Sequence, residues 1–187
     1  MTVPPPLPRA GFVTVMAKIS LLLGALGVAG SAAQALLALL MPDAAVATLA
    51  QRPEVPAGVV WVLEWRLALS LLCLLLSALF LAASWGLLRR REWARWTFIA
   101  FLVGGAVLNF AGLAAIGHVF DTLQAMFPAD MIDTPEGREF LAQMQASRYL
   151  SYVTGLVGAV AFAVLHGWIA WKLCTAPARD EFRRPAA

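Results

Sequence analysis

Charged residues are scarce in this sequence, and four long stretches contain none at all. Only 13% of the 187 residues are Asp, Glu, Lys or Arg, whereas a soluble domain has about 25%. The four stretches are also free of proline, and they cover residues 19–41, 67–88, 96–117 and 149–171. A helix of about 22 residues rises roughly 33 Å, and the hydrocarbon core of a bilayer is about 30 Å thick. Because charge and proline are both unfavourable in that core, the sequence predicts four membrane spans.

Cysteine is also scarce, and recognisable catalytic motifs are missing. Cys73 falls within the second stretch and Cys174 just after the fourth, so neither reaches an oxidising loop and we expect no structural disulfide. The sequence has no nucleophile elbow, phosphate loop, zinc-protease helix or dinucleotide fingerprint. His118 and His166 lie near opposite ends of the predicted spans, so one chain cannot bring both to a haem iron. We therefore predict no cofactor, no metal site and no enzymatic activity.

The basic residues are distributed unevenly between the two sides of the predicted membrane. The side that holds both termini has ten basic and three acidic residues, a net charge of +7, and the other side has four basic and eight acidic residues, a net charge of −4. The positive-inside rule then places both termini in the cytoplasm. Anionic lipid headgroups at the cytoplasmic face are the expected partners of the basic residues, so we predict no nucleic-acid partner.

The predicted fold class is all-α, an integral membrane four-helix bundle with both termini cytoplasmic. Residues 1–18 are a proline-rich cytoplasmic N-terminus, residues 19–173 the bundle, and residues 174–187 a polar cytoplasmic tail that we expect to be frayed. The short connection of residues 89–95 makes the second and third spans antiparallel neighbours. In an alternative interpretation the first stretch is a cleaved signal peptide, with the small residues 29–33 as its cleavage site. The apolar run continues past these residues, which favours an uncleaved span.

The two outer connections differ in their expected structure. The first, residues 42–58, contains three prolines and is too short for a domain, so we expect structure only in the second, residues 118–147. There the run Asp133-Thr134-Pro135-Glu136 is typical of a helix start. Residues 138–154 contain neither proline nor glycine, which predicts a fourth helix that extends outward without a break. The alternative is a surface-lying helix that bends near Ser147.

Each predicted span carries a stripe of small or weakly polar residues. Lipid provides no hydrophobic drive for helices to associate, so close approach over small residues and hydrogen bonds between helices must hold them together. We expect these stripes to form the bundle interior, and the alternative is a cavity for a lipid, a quinone or another small ligand. The stripes comprise Gly24, Gly27, Gly30, Ser31 and Gln34 in the first span, Ser70, Cys73, Ser77 and Ser84 in the second, Gly105, Asn109 and Gly112 in the third, and Gly155, Ala159, Phe162 and His166 in the fourth.

Two sets of polar residues are candidates for function. The intramembrane set is Gln34, Asn109 and His166, whose side chains can bond neighbouring helices or serve a functional site. The outer set either pairs to seal the outer end, or forms a vestibule for an anionic headgroup, a proton-linked ligand or a partner protein. The candidate vestibule consists of Glu64, Arg66, His118, Asp121 and Arg148.

These features favour a small accessory or interaction protein without catalytic activity. It would engage a membrane or extracytoplasmic partner, or a second copy of itself, through its helix faces and acidic outer loops. One alternative is a lipid-binding or small-molecule-binding subunit of a transporter or channel, and a further one is an immunity protein against a membrane-acting toxin. The topology and the basic, aromatic turn at residues 86–96 are similar to those of small four-span bacterial inner-membrane proteins, a resemblance that implies a location but no activity.

Overall fold

The structure is a computed structural model that describes residues 11–52, 55–125, 127 and 134–183. These residues contain helices, turns and no strand, so the all-α class is confirmed. The predictions for residues 1–10 and for Asp133 lie outside the described residues. Within the described ranges the helices are α1 (Phe12–Leu40), α2 (Asp43–Ala50), α3 (Ala57–Glu64), α4 (Arg66–Leu88), α5 (Glu92–Ala125), α6 (Pro135–Cys174) and α7 (Ala176–Arg183).

Four of these helices are long enough and apolar enough to cross a membrane, namely α1, α4, α5 and α6. They contain 29, 23, 34 and 40 residues, and apart from Met41 the four uncharged stretches of the sequence fall on them. At 1.5 Å per residue, α4 is about 35 Å long, close to the thickness of a hydrocarbon core, whereas α6 is about 60 Å long. Helices α5 and α6 therefore continue well beyond the uncharged stretches that they contain.

The start of α6 follows from its first residues. The Thr134 hydroxyl accepts a hydrogen bond from the Gly137 amide at 3.0 Å, Pro135 occupies the first turn, and Glu136 places an acid at the positive end of the helix. From there the helix runs without interruption to Cys174. The predicted continuous fourth helix is confirmed, and the alternative that bends near Ser147 is wrong.

A tight turn connects α4 to α5. Arg90 adopts a φ of 55° in this turn, and the Arg91 amide donates to the Gly86 carbonyl at 2.9 Å. Phe80 then stacks on Phe98 with ring centroids 5.5 Å apart. The predicted antiparallel packing of these two helices is therefore confirmed.

Two expectations about the connecting segments are wrong. The first outer connection contains α2 and the start of α3, because Pro42 ends α1 and Asp43 then provides an acid in the first turn of a new helix. Residues 176–183 of the tail form α7, with Ala178 and Phe182 buried. These two residues stand four apart and so share one face of the helix, which the polar composition of the tail concealed.

A cluster of buried apolar residues lies at one end of the structure, which we call the turn end because it holds the α4–α5 turn. Beyond the turn end, the helices lie in two antiparallel pairs, α1 with α4 and α5 with α6. In the first pair the Ser31 and Ser77 hydroxyls are 3.2 Å apart, and in the second a Cβ on Gly155 would lie 2.8 Å from Leu113 Cδ2. The cluster comprises Val13, Ala17, Leu87, Ala94, Phe98, Leu102, Ile169, Leu173, Ala178 and Phe182.

Candidate functional site

An open cleft lies between the two helix pairs, beside the turn-end core. It has a volume of about 210 Å³, and its floor is formed by Phe80 and Phe101, whose rings meet edge to face with centroids 5.4 Å apart. Its walls are apolar except for one hydroxyl group. The cleft is lined by Leu23, Gly24 and Gly27 of α1, by Leu76, Ser77 and Phe80 of α4, and by Phe101 of α5.

The α1 wall continues past the cleft as a face of small and polar residues. Each residue advances about 100° around a helix, so Gly30 and Gln34 lie on the same side of α1 as Leu23 and Gly27. A Cβ on Gly30 would meet nothing within 4 Å, and Gln34 is exposed. The stripe that packs against α4 thus includes Gly24, Gly27 and Ser31, while Gly30 and Gln34 face the open side.

Asn109 occupies a similar open position on α5. Leu102 is buried and Gly105 contacts His166 on the same face of the helix, yet Asn109, one turn further along, is exposed. Its side-chain amide donates to the Gly105 carbonyl of its own helix at 2.8 Å. Asn109 stands near the middle of the predicted third span, where an amide without a partner helix is costly.

His166 joins α6 to α5. Its Nδ1 lies 3.1 Å from the Leu102 carbonyl oxygen, and because a carbonyl can only accept, Nδ1 is the protonated nitrogen when this bond forms. The ring also meets Phe162 edge to face, with centroids 5.8 Å apart. This geometry matches the interpretation in which His166 bonds a neighbouring helix.

The five residues of the candidate vestibule separate into two groups. Arg66 donates to the Ala38 and Met41 carbonyls at the end of α1 and forms an ion pair of 2.6 Å with Asp43. It thereby satisfies carbonyl groups that the end of α1 leaves free.

The second group joins α5 to α6. Arg148 forms an ion pair of 2.8 Å with Asp121. Its guanidinium also lies next to Gly117, where an added Cβ would be 3.1 Å from Arg148 Nη2 and 2.7 Å from the Tyr152 hydroxyl. His118 is exposed beside this pair along the chain. Glu64 belongs to neither ion pair, and it lines two grooves near α2.

Two arginines of the turn end have structural roles that were not predicted from the sequence. The Arg95 side chain is only 5% exposed, donates to the Leu173 carbonyl at the end of α6 at 3.2 Å, and pairs with Glu92. Arg90 pairs with Glu181 of α7 at 2.8 Å and donates to the Thr14 hydroxyl at 2.9 Å. From the sequence, the basic cluster of this turn is attributed to topology and lipid headgroups. The one local signal of a structural role is the i, i+3 spacing of Glu92 and Arg95.

Within the described ranges, no three His, Cys, Asp or Glu side chains lie close enough together to hold a metal ion. Cys73 and Cys174 are both free and exposed. Comparison of the chain with protein-family models, curated proteins and solved structures gave no match to any of the three.

Proposed function

We propose that this chain is an integral membrane protein without catalytic activity, whose open cleft receives a hydrophobic segment of a partner protein. The observation that carries the proposal is the exposure of Asn109 in the middle of an uncharged helical stretch. A carboxamide at that depth is stabilised by a hydrogen bond from another helix, worth about 0.6–2 kcal/mol. Asn109 stands eight residues, about 12 Å, along α5 from Phe101 of the cleft, so a partner helix seated in the cleft would reach it by running along α5.

Membrane insertion is supported by the outward surfaces of the long helices. Leu37, Leu108 and Val164 are each about 70% exposed, and exposed apolar surface of this extent is typical of contact with lipid or a partner. The distribution of basic residues favours cytoplasmic termini. The bacterial cytoplasmic membrane remains our prediction for the compartment.

The chemistry of the cleft supports binding rather than catalysis. Its described lining is aliphatic, aromatic or glycine, with the Ser77 hydroxyl as its one polar side chain. Acid–base or nucleophilic catalysis needs a base within hydrogen-bond reach of the reacting group. The small residues Gly24 and Gly27 instead allow a partner backbone to come close.

A second candidate is the binding of a lipid or another apolar small molecule in the same cleft. The observation in its favour is the volume of about 210 Å³, which is large enough for several water-sized groups. This space fits part of an acyl chain or the side chains of one helix face. The hypothesis of an immunity protein has no observation of this kind to support it.

Photocrosslinking inside the native membrane separates these candidates. A photoreactive residue at Leu76 would face the cleft. The matched control at Leu75 would face away from it, because Leu75 stands two residues before Ser77 and so about 160° from it around α4. We expect a discrete adduct of protein size from position 76 and none from position 75. An adduct of lipid mass from position 76 alone would favour the second candidate, and identical adducts from both positions would refute a role for the cleft.

The topology has its own test. A reporter that is active only in the cytoplasm, fused after Ala187, should be active if both termini are cytoplasmic. Activity of an externally active reporter at that position would overturn the orientation and leave the cleft proposal intact.

A further inference from the structure

A second region with exposed apolar and unpaired charged side chains is the hairpin of α2 and α3, at the end of the structure away from the turn end. Helix α3 is strongly apolar in sequence, yet none of its residues is buried. The Trp61 and Trp65 rings lie 6.4 Å apart at the junction of α3 with α4. Tryptophans at the end of a predicted span are typical of the membrane interface, where a ring contacts both lipid and water.

This hairpin encloses two adjacent grooves with charged walls. The larger has a volume of about 500 Å³ and the smaller about 270 Å³, and Ala50 and Glu64 line both. A volume of 500 Å³ is within the range of small-ligand sites. The larger groove is lined by Ala50, Arg52, Val55, Ala57, Val60, Trp61 and Glu64.

The charges of the two grooves differ in their pairing. In the smaller groove Arg66 is already paired with Asp43. In the larger groove the positive Arg52 and the negative Glu64 line the same space, and no ion pair within 4.0 Å involves either of them in the described part of the chain. One cation and one anion that line the same groove without pairing with each other complement a ligand that carries both signs of charge.

We propose that the larger groove binds a phosphoethanolamine group, the zwitterionic headgroup of a membrane phospholipid. Glu64 accepts hydrogen bonds from the ammonium group, the Trp61 ring attracts the same cation through its π face, and Arg52 binds the phosphate. A membrane source is favoured because Trp61, which lines the groove, and its neighbour Trp65 are 52% and 54% exposed, as is typical of tryptophans at a membrane interface. This site is separate from the cleft, so it stands or falls independently of the proposed function.

Native mass spectrometry of the full chain in detergent provides the test. The protein is incubated with phosphatidylethanolamine or with phosphatidylglycerol that has the same acyl chains. Of the two lipids, only phosphatidylethanolamine carries a positively charged ammonium group. We expect preferential retention of phosphatidylethanolamine. Glu64→Gln should reduce that preference by up to about fivefold, as expected for one exposed charge contact, and Arg52→Gln should weaken retention of both lipids.

Matched controls are available on the exposed surface of α6. Glu139→Gln and Arg138→Gln remove the same charges outside the groove and should leave retention unchanged. Equal retention of the two lipids by the unmodified protein, or a preference unaffected by Glu64→Gln, would overturn the proposal. Competition by soluble glycerophosphoethanolamine distinguishes the sources: displacement at similar concentration would identify the free headgroup as sufficient, and no displacement would identify the intact lipid as the ligand.

Discussion

The Arg90 guanidinium lies 2.8 Å from the Glu181 carboxylate, and this pair attaches the C-terminal helix α7 to the α4–α5 turn. The same guanidinium donates to Thr14 in the first turn of α1. Three segments that are distant in sequence therefore meet at one arginine. With Phe182 buried beneath them, α7 covers the turn-end core.

Loss of the Arg90–Glu181 pair should loosen α7 without unfolding the long helices. Both side chains are partly exposed, so Glu181→Gln should cost about 0.2–1 kcal/mol. The expected result is faster amide hydrogen exchange in residues 176–183, with exchange in α4 and α5 unchanged. Asp180→Asn removes an exposed neighbouring carboxylate and serves as the control. Equal effects of the two variants would mean that α7 is held by its apolar contacts alone.

Arg95 should contribute more to stability than the other arginines of the turn. Its side chain is buried and donates to the last turn of α6, so Arg95→Gln should destabilise the protein by about 1–3 kcal/mol. Arg91→Gln changes an exposed side chain in the same turn and should have little effect. Denaturant midpoints in detergent would measure both. If Arg91→Gln proved equally harmful, net charge of the loop rather than the bond to Leu173 would be responsible.

Gly86 is needed where α4 approaches α5. A Cβ at this position would lie 2.5 Å from Ala94 Cβ, so Gly86→Ala should destabilise the turn end by about 1–3 kcal/mol. At Gly104 a Cβ would meet nothing within 4 Å, and Gly104→Ala should be neutral or stabilising by up to about 1 kcal/mol. Thermal unfolding in detergent compares the two. Similar melting temperatures for both variants would show that α5 can shift to relieve the contact.

His166 and Asn109 should respond differently to replacement by leucine. His166→Leu removes a bond between α6 and α5 and should lower stability by about 0.6–2 kcal/mol. Asn109→Leu removes a bond within α5 only, so the isolated protein should be as stable as before or more so. The same variant should lose the protein-size crosslink at position 76. A destabilised Asn109→Leu protein with an unchanged crosslink would contradict the role assigned to Asn109.

The four long helices and the start of α6 are local properties, and the sequence was sufficient to predict them. Uncharged stretches of about 22 residues have one favourable arrangement in lipid, a continuous helix with all its backbone groups bonded internally. The Thr134 cap and the run free of proline and glycine that follows likewise predicted the start of α6 and its continuation.

The tertiary structure decided how these helices meet. The small residues of each span pointed to an interior, but a stripe cannot specify which neighbour covers it, since any helix with a complementary face can do so. Gly24 and Ser31 pack against α4, while Gly30, Gln34 and Asn109 are left uncovered by any of the described neighbouring helices.

The partners of the charged residues were likewise decided by the tertiary structure. The sequence shows how many arginines the turn contains. Only the structure shows that Arg95 is buried and caps a helix, and that Arg90 attaches α7. The energy of a charge depends on the surrounding solvent and on partners distant in sequence. Pattern therefore determined the long helices, and only packing in three dimensions determined which polar groups are satisfied and which remain exposed.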